Sequence, residues 1–313
     1  PAALAAGAAA GALQGAIVAY LKVPAFIVTL GGLLVFRGWI STIMGGETVP
    51  VPEQFQYWGG GFLSSLQGWT LTAVLIIVGS WMLYRTLSLN FTRIWLWLGL
   101  STYVVIIGFF MIIFHLSGRV AERPPITTPI RLPEQSALYH SEWYQQAMKR
   151  QAQTVPRGQS VPVPVAIMLL AALAMTFLTS HTVFGRRIYA IGGNAEAAYL
   201  SGVNLKRNIL LVFALCGLLS AIAGLVYTAR LGSATPDAAR GYELYAIAAC
   251  VIGGTSLRGG RGVVVGALLG ALIMAALDAG MSIMNIDPFY QDIIKGVVLV
   301  GAVYLDMAGR RQT

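Results

Sequence analysis

Residues 207–231 read RNILLVFALCGLLSAIAGLVYTARL, and no charged side chain stands between Arg207 and Arg230. A helix needs about 20 mainly apolar residues to cross the hydrocarbon core of a bilayer, and this run meets that length. Just before it lies Gly185–Arg207, GRRIYAIGGNAEAAYLSGVNLKR, which is basic at both ends. Another apolar run precedes that. The chain therefore reads as membrane helix, structured polar segment, membrane helix.

The same reading extends along the chain. Spans are expected at about 1–20, 23–44, 69–84, 94–116, 161–180, 207–231, 262–281 and 288–306. The stretch 243–257, ELYAIAACVIGGTSL, is a few residues short, and reads as a short span or a re-entrant half-helix. The predicted fold is all-α: a polytopic helical bundle of about 8–9 transmembrane segments, forming one domain over 1–313. The chain opens PAALAAGAAAGALQGAIVAY, without a Met or a basic leader, and is expected to lack an N-terminal portion. Composition agrees with a membrane protein. Hydrophobic residues make up 57% and charged residues 11%, and mean hydropathy is +0.71. Soluble domains carry about 25% charged residues.

Charge gives the expected orientation. Short cytoplasmic loops are enriched in Lys and Arg. Arg186, Arg187, Lys206 and Arg207 place 185–206 in the cytoplasm. Alternation then puts Lys22, Arg85 and Arg93 inside, and Glu47, Glu53, Asp237, Glu243 and Asp287 outside. If 243–257 spans, Arg258, Arg261, Arg310 and Arg311 fall inside too, so the charge rule favours a short span there. The long polar segment 117–160 falls outside. Pro124, Pro125, Pro129 and Pro133 keep its first half extended. Its residues 134–152 read as a short helix, either lying on the bilayer surface or docking an extracytoplasmic partner.

The net charge of +9 is accounted for by cytoplasmic loops and does not call for nucleic acid. Cys216 and Cys250 lie inside apolar runs and give neither a disulfide framework nor metal spacing. His115, His140 and His181 are scattered, so no metal site is expected, and no nucleophile–base set can be argued. The run GGTSLRGGRG, 253–262, lacks the Lys of a phosphate-binding loop. Gly253, Gly254, Thr255 and Ser256 are better read as close packing or a hinge at a gate. No cofactor is implied.

Within Gly185–Arg207, Asn194 suits an N-cap. Glu196 falls in the first turn, where negative charge is favoured. Ala195, Ala197, Ala198, Tyr199 and Leu200 extend a short helix that Gly202 can end. Small residues there permit another protein's surface to come close. An ordinary capped loop helix satisfies the same pattern. Among membrane-embedded polar residues, Arg37 and Lys295 lie within spans, and Asp278 and Asp292 lie nearer the outer ends. They read either as snorkelling and pairing groups or as part of a polar path. Phe26, Thr29 and Arg37 of one span form a candidate substrate path.

NAEAAYLSGVN resembles the E-A-A-x-x-x-G loop of bacterial ABC importer permeases, with Glu196, Ala197, Ala198 and Gly202 on the pattern. VPAFIVTLGGLLVFRG (23–38), FGRRIYAIGGN (184–194) and VIGGTSLRGGRGVVVGALLGALIM (251–274) resemble segments of the monosaccharide importer permeases, the ribose, xylose and galactose group. The resemblance covers nearly the whole chain except 45–68 and 86–160. The family's first spans have no counterpart here, and 117–160 is longer than expected.

The resemblance implies a permease of the bacterial inner membrane that lacks ATPase activity of its own. It implies an ATP-binding subunit docked on the coupling segment 185–206, a periplasmic sugar-binding protein, and a second permease copy forming a homodimer in the lipid bilayer. D-xylose is the expected substrate, and ribose, galactose and arabinose are the alternatives. An ion-coupled secondary transporter is the rival class. It calls for ionisable residues near the bilayer midplane, whereas most charges here sit near span ends.

Overall fold

The computed structural model describes residues 1–63, scattered helical positions between 67 and 78, and residues 161–309. The rest of the expected span 69–84, the span 94–116, the segment 117–160 with its helix at 134–152, and Arg310 and Arg311 lie outside the described residues. The chain divides into two compact units, 60–167 and 1–59 with 168–313. In the first, Phe62 and Pro162 form an antiparallel bridge. Leu63 N–H donates to the Val161 carbonyl at 2.9 Å, and Val161 is fully buried.

The second unit begins with α1 (Ala2–Leu21) and α2 (Ala25–Met44), separated by Lys22 in a left-handed conformation and by Pro24. Strand β1 (Val49–Pro50) and helix α3 (Glu53–Gly60) follow. Helix α4 (Val163–His181) enters this unit and turns at Thr182 into α5 (Val183–Gly193). Then come α6 (Ala195–Leu200), α7 (Leu205–Leu231), β2 (Ser233–Ala234), α8 (Tyr242–Ile252), α9 (Val264–Ile283) and α10 (Pro288–Gly309). Among the described helices, α1, α2, α4, α7 and α9 are long and apolar enough to cross a membrane. They coincide with five of the expected spans, and α10 occupies the sixth, 288–306.

Helices α1 and α7 are antiparallel. Gly7 of α1 faces Gly217 and Ala221, Gly11 faces Phe213, and Gly15 faces Leu210. A Cβ on Gly11 would lie 3.1 Å from the Gly217 Cα, so the two backbones approach closely only because side chains are missing there. Lys206 stands over the Tyr20 ring at 5.4 Å at one end of this pair. At the other end β1 and β2 join antiparallel, Val49 opposite Ala234 and Pro50 opposite Ser233. The ends of α2 and α7 are thereby tied together.

The stretch 243–257 resolves in a form the sequence left open. Helix α8 has 11 residues, a length of about 16 Å at 1.5 Å per residue. That is about half the hydrocarbon thickness. Yet the chain from β2 to Gly262 runs from one end of α7 to the other. It starts at the strand pair, and it ends where the Tyr189 hydroxyl of α5 donates to the Gly262 carbonyl at 2.7 Å. The segment therefore traverses the unit with helix over only part of its length. Gly253 and Gly254 stop the helix, and Gly254 has φ +85.

Candidate coupling surface and gate

The expected loop 185–206 is more ordered than a loop with one short helix. Residues 183–193 form the separate helix α5. Its Ile188 and Ile191 line a small apolar cavity together with Asn208, Ile209, Val212 and Phe213 of α7, while Arg186 and Arg187 are exposed. Thr182 begins α5, its side-chain oxygen accepting from Gly185 N–H at 3.2 Å.

The cap of α6 falls where expected. Asn194 Oδ1 accepts from Ala197 N–H at 3.0 Å, and Glu196 occupies the first turn. At the other end Gly202 has φ +82, its N–H donates to Tyr199 O at 2.9 Å, and Val203 N–H donates to Ala198 O at 3.0 Å. Asn204 Oδ1 then accepts from Arg207 N–H at 3.0 Å and starts α7.

The two alanines do not share a face. Ala197 is exposed, but Ala198 is 5% exposed and points into the protein. The outer surface of α6 is instead Glu196, Ala197, Tyr199 and Leu200, with Tyr199 68% and Leu200 79% exposed.

Residues Gly253, Gly254, Thr255 and Ser256 form a closed turn. Thr255 N–H donates to Cys250 O, and Ser256 N–H donates to Arg261 O, both at 2.9 Å. The Ser256 hydroxyl accepts from Arg258 N–H at 3.2 Å, and Ser256 is buried. A Cβ on Gly253 would lie 2.7 Å from Ala267 N, and Gly192 of α5 abuts Gly259 and Gly260 in the same way. The segment 185–206 and the glycine turn thus meet backbone to backbone, with the Tyr189 hydrogen bond beside them.

Phe26, Thr29 and Arg37 lie on one side of α2, which packs along α1. Phe26 is 72% exposed, and the Thr29 hydroxyl donates to its own helix at Ala25 O and Phe26 O. Nothing in the geometry brings this trio together with the glycine turn.

A group that the sequence singled out only residue by residue does converge. Lys295 of α10 is 9% exposed and pairs with Asp278 of α9. Its ammonium lies 3.4 Å from the Tyr245 hydroxyl and 4.6 Å from the Tyr245 ring centroid. The Tyr245 hydroxyl donates to Asp292 Oδ1 at 2.9 Å. Tyr245 went unnoticed in the sequence, and its place opening the marginal helix was the available signal. Among the described residues no three His, Cys, Asp or Glu side chains converge to hold a metal.

The family described as branched-chain amino acid transport system / permease component matches residues 73–303. The xylose transport system permease protein of Escherichia coli (strain K12) is 41% identical over 314 residues, covering 97% of this chain and 69% of that protein. Its Haemophilus influenzae counterpart is 37% identical over 316 residues, covering 96% and 72%. The ribose import permease protein of Bacillus subtilis (strain 168) is 50% identical over 146 residues, covering 47% and 45%. No solved structure matches the chain. With apolar spanning helices, a capped segment between two of them and these relatives, the chain belongs to this family of transport-system permeases and is a multi-pass membrane protein.

Proposed function

We propose that the chain is the membrane subunit of an ATP-driven monosaccharide importer of the bacterial inner membrane, with D-xylose as substrate. Two copies form the pore. An ATP-binding subunit hydrolyses ATP while docked on 185–206 at the cytoplasmic face, and a periplasmic binding protein delivers sugar at the opposite face. The observation that carries the reading is α6, capped at both ends and presenting Glu196, Ala197, Tyr199 and Leu200 outward. An ion-coupled carrier has no use for such a surface. The test is uptake of labelled pentoses and hexoses by the full complex in liposomes. Uptake that needs ATP and the binding protein, with D-xylose preferred, is expected. Uptake driven by an ion gradient without ATP overturns it.

In this scheme α5 carries movement of the docked partner to the glycine turn. Tyr189→Phe removes one hydrogen bond and leaves the ring in place. A neutral hydrogen bond contributes about 1 kcal/mol net. Sugar moved per ATP consumed is expected to fall about fivefold, with assembly intact. An unchanged ratio would leave the Gly192–Gly260 backbone contact as the whole connection.

A further inference from the structure

Asp278, Asp292 and Lys295 carry charge inside helices that otherwise read as spans. Asp278 lies five residues before the end of α9, about 7.5 Å into a helix whose 20 residues match the bilayer core. Asp292 and Lys295 lie about 6 and 10 Å into α10 from the same end. The Asp278 side chain is nonetheless 53% exposed, and Asp292 is exposed. A carboxylate at that depth is costly against lipid tails. Asp278 pairs with Lys295 and Asp292 accepts from Tyr245, yet both stay exposed, which suits a face turned to polar surroundings rather than to lipid.

The chemistry of the face is specific. Tyr242 is half-exposed, with its ring 5.5 Å from Tyr227 and 5.7 Å from Tyr245. Tyr245 bonds Asp292, and Tyr242 stands beside Tyr245. Tyr245 packs on an apolar floor of Ala248, Ala249 and Met274. An ammonium has three donors, and Lys295 commits two, to Asp278 and Tyr245, leaving one. Each carboxylate retains acceptor sites beyond the bond it makes. Two carboxylates against one ammonium disfavour an anion. Aromatic faces with carboxylates and one ammonium suit a neutral polyol, whose hydroxyls donate and accept and whose C–H faces lie on rings.

We infer that Tyr242, Tyr245, Asp278, Asp292 and Lys295 form a monosaccharide subsite on the translocation route, entered from the end of the unit that carries the β1–β2 pair. This rests on the importer reading. Sugar hydroxyls bond Asp278 and Asp292, and a ring face lies on Tyr242. Because Tyr245 belongs to the short helix of the broken crossing, occupancy reports directly to the glycine turn.

The test uses the full complex in liposomes, with Tyr242→Cys introduced and a neutral maleimide as probe in the absence of ATP. Background is set by the unsubstituted chain. D-xylose is expected to slow modification several-fold, and an equal concentration of betaine to leave it unchanged. Adding D278N or D292N should raise the half-protecting xylose concentration about tenfold, as expected for losing a hydrogen bond to a charged group. If D278N fails to assemble because it strands Lys295, D292N carries the test, since Asp292 is exposed and, among the described residues, bonds the Tyr245 hydroxyl. Absence of protection in a complex that imports xylose overturns the subsite. So does an unchanged half-protecting concentration in D292N. Absence of ATP-driven xylose uptake by the unsubstituted complex sinks the importer reading instead.

Discussion

Replacing Leu200 with Asp is expected to abolish co-purification of the ATP-binding subunit and to cut sugar-stimulated ATP hydrolysis about a hundredfold, while the permease still inserts and folds. Leu200 is 79% exposed at the end of α6, so the permease alone loses little from the change. In the docking proposed above the same side chain becomes buried. Placing an unpaired carboxylate in a buried contact costs several kcal/mol in the manner of an interface hot spot. Tyr199→Ala should act in the same direction, with a smaller effect. Ala198→Leu is the contrasting variant. Ala198 is buried against the protein, so added bulk overpacks the interior by about 1–3 kcal/mol and lowers the yield of folded permease. Pull-down and ATPase assays on the three variants separate these cases. Normal coupling in Leu200→Asp would reduce α6 to a connector.

Gly253→Val should be more severe, with little folded permease recovered from the membrane. A Cβ at Gly253 meets the Gly266 backbone, and Ala267 N would lie 2.7 Å away. Backbone cannot swing aside as a flexible side chain does, so α8 and α9 must separate. That opens the core of Ala248, Ala249 and Met274. Loss of about 3 kcal/mol or more is typical where tight packing is broken without relief. Gly254→Ala is the milder partner. Open space surrounds Gly254, but its φ of +85 strains any residue with a Cβ, at about 1 kcal/mol. That variant should assemble and transport more slowly. Membrane yield after mild detergent extraction, followed by uptake, checks the pair. Full yield of Gly253→Val would mean that the α8–α9 contact is looser than the backbones imply.

Local chemistry made part of this legible from sequence. The Asn194 cap and the Gly202 exit each depend on one or two neighbours, and both stand where the residues put them. The apolar runs marked five of the described spans for the same reason. Helix α5 was missed because its two arginines and three glycines look like loop composition. It sits against α7 and against the glycine turn through Gly192 and Tyr189, contacts that no local pattern contains. The inward turn of Ala198 was illegible because α6 has only six residues, under two turns, too few to define a face. The partner of Lys295 was illegible because Tyr245 lies 50 residues away. The half-helix was set by two adjacent glycines, but its role as a crossing depends on the strand pair and on Gly262, both outside it.

The glycine-lined contact between α1 and α7 also sets a timetable. Gly11 and Phe213 touch, yet about 200 residues of synthesis separate them. At roughly 5–20 residues per second, α1 stays in the bilayer for about 10–40 seconds before its mate emerges from the ribosome. Throughout that interval its glycine groove is open to lipid or to any small-residue helix passing by. Insertion of this permease is thus a waiting problem, and conditions that slow the ribosome between α2 and α7 lengthen the exposure of α1.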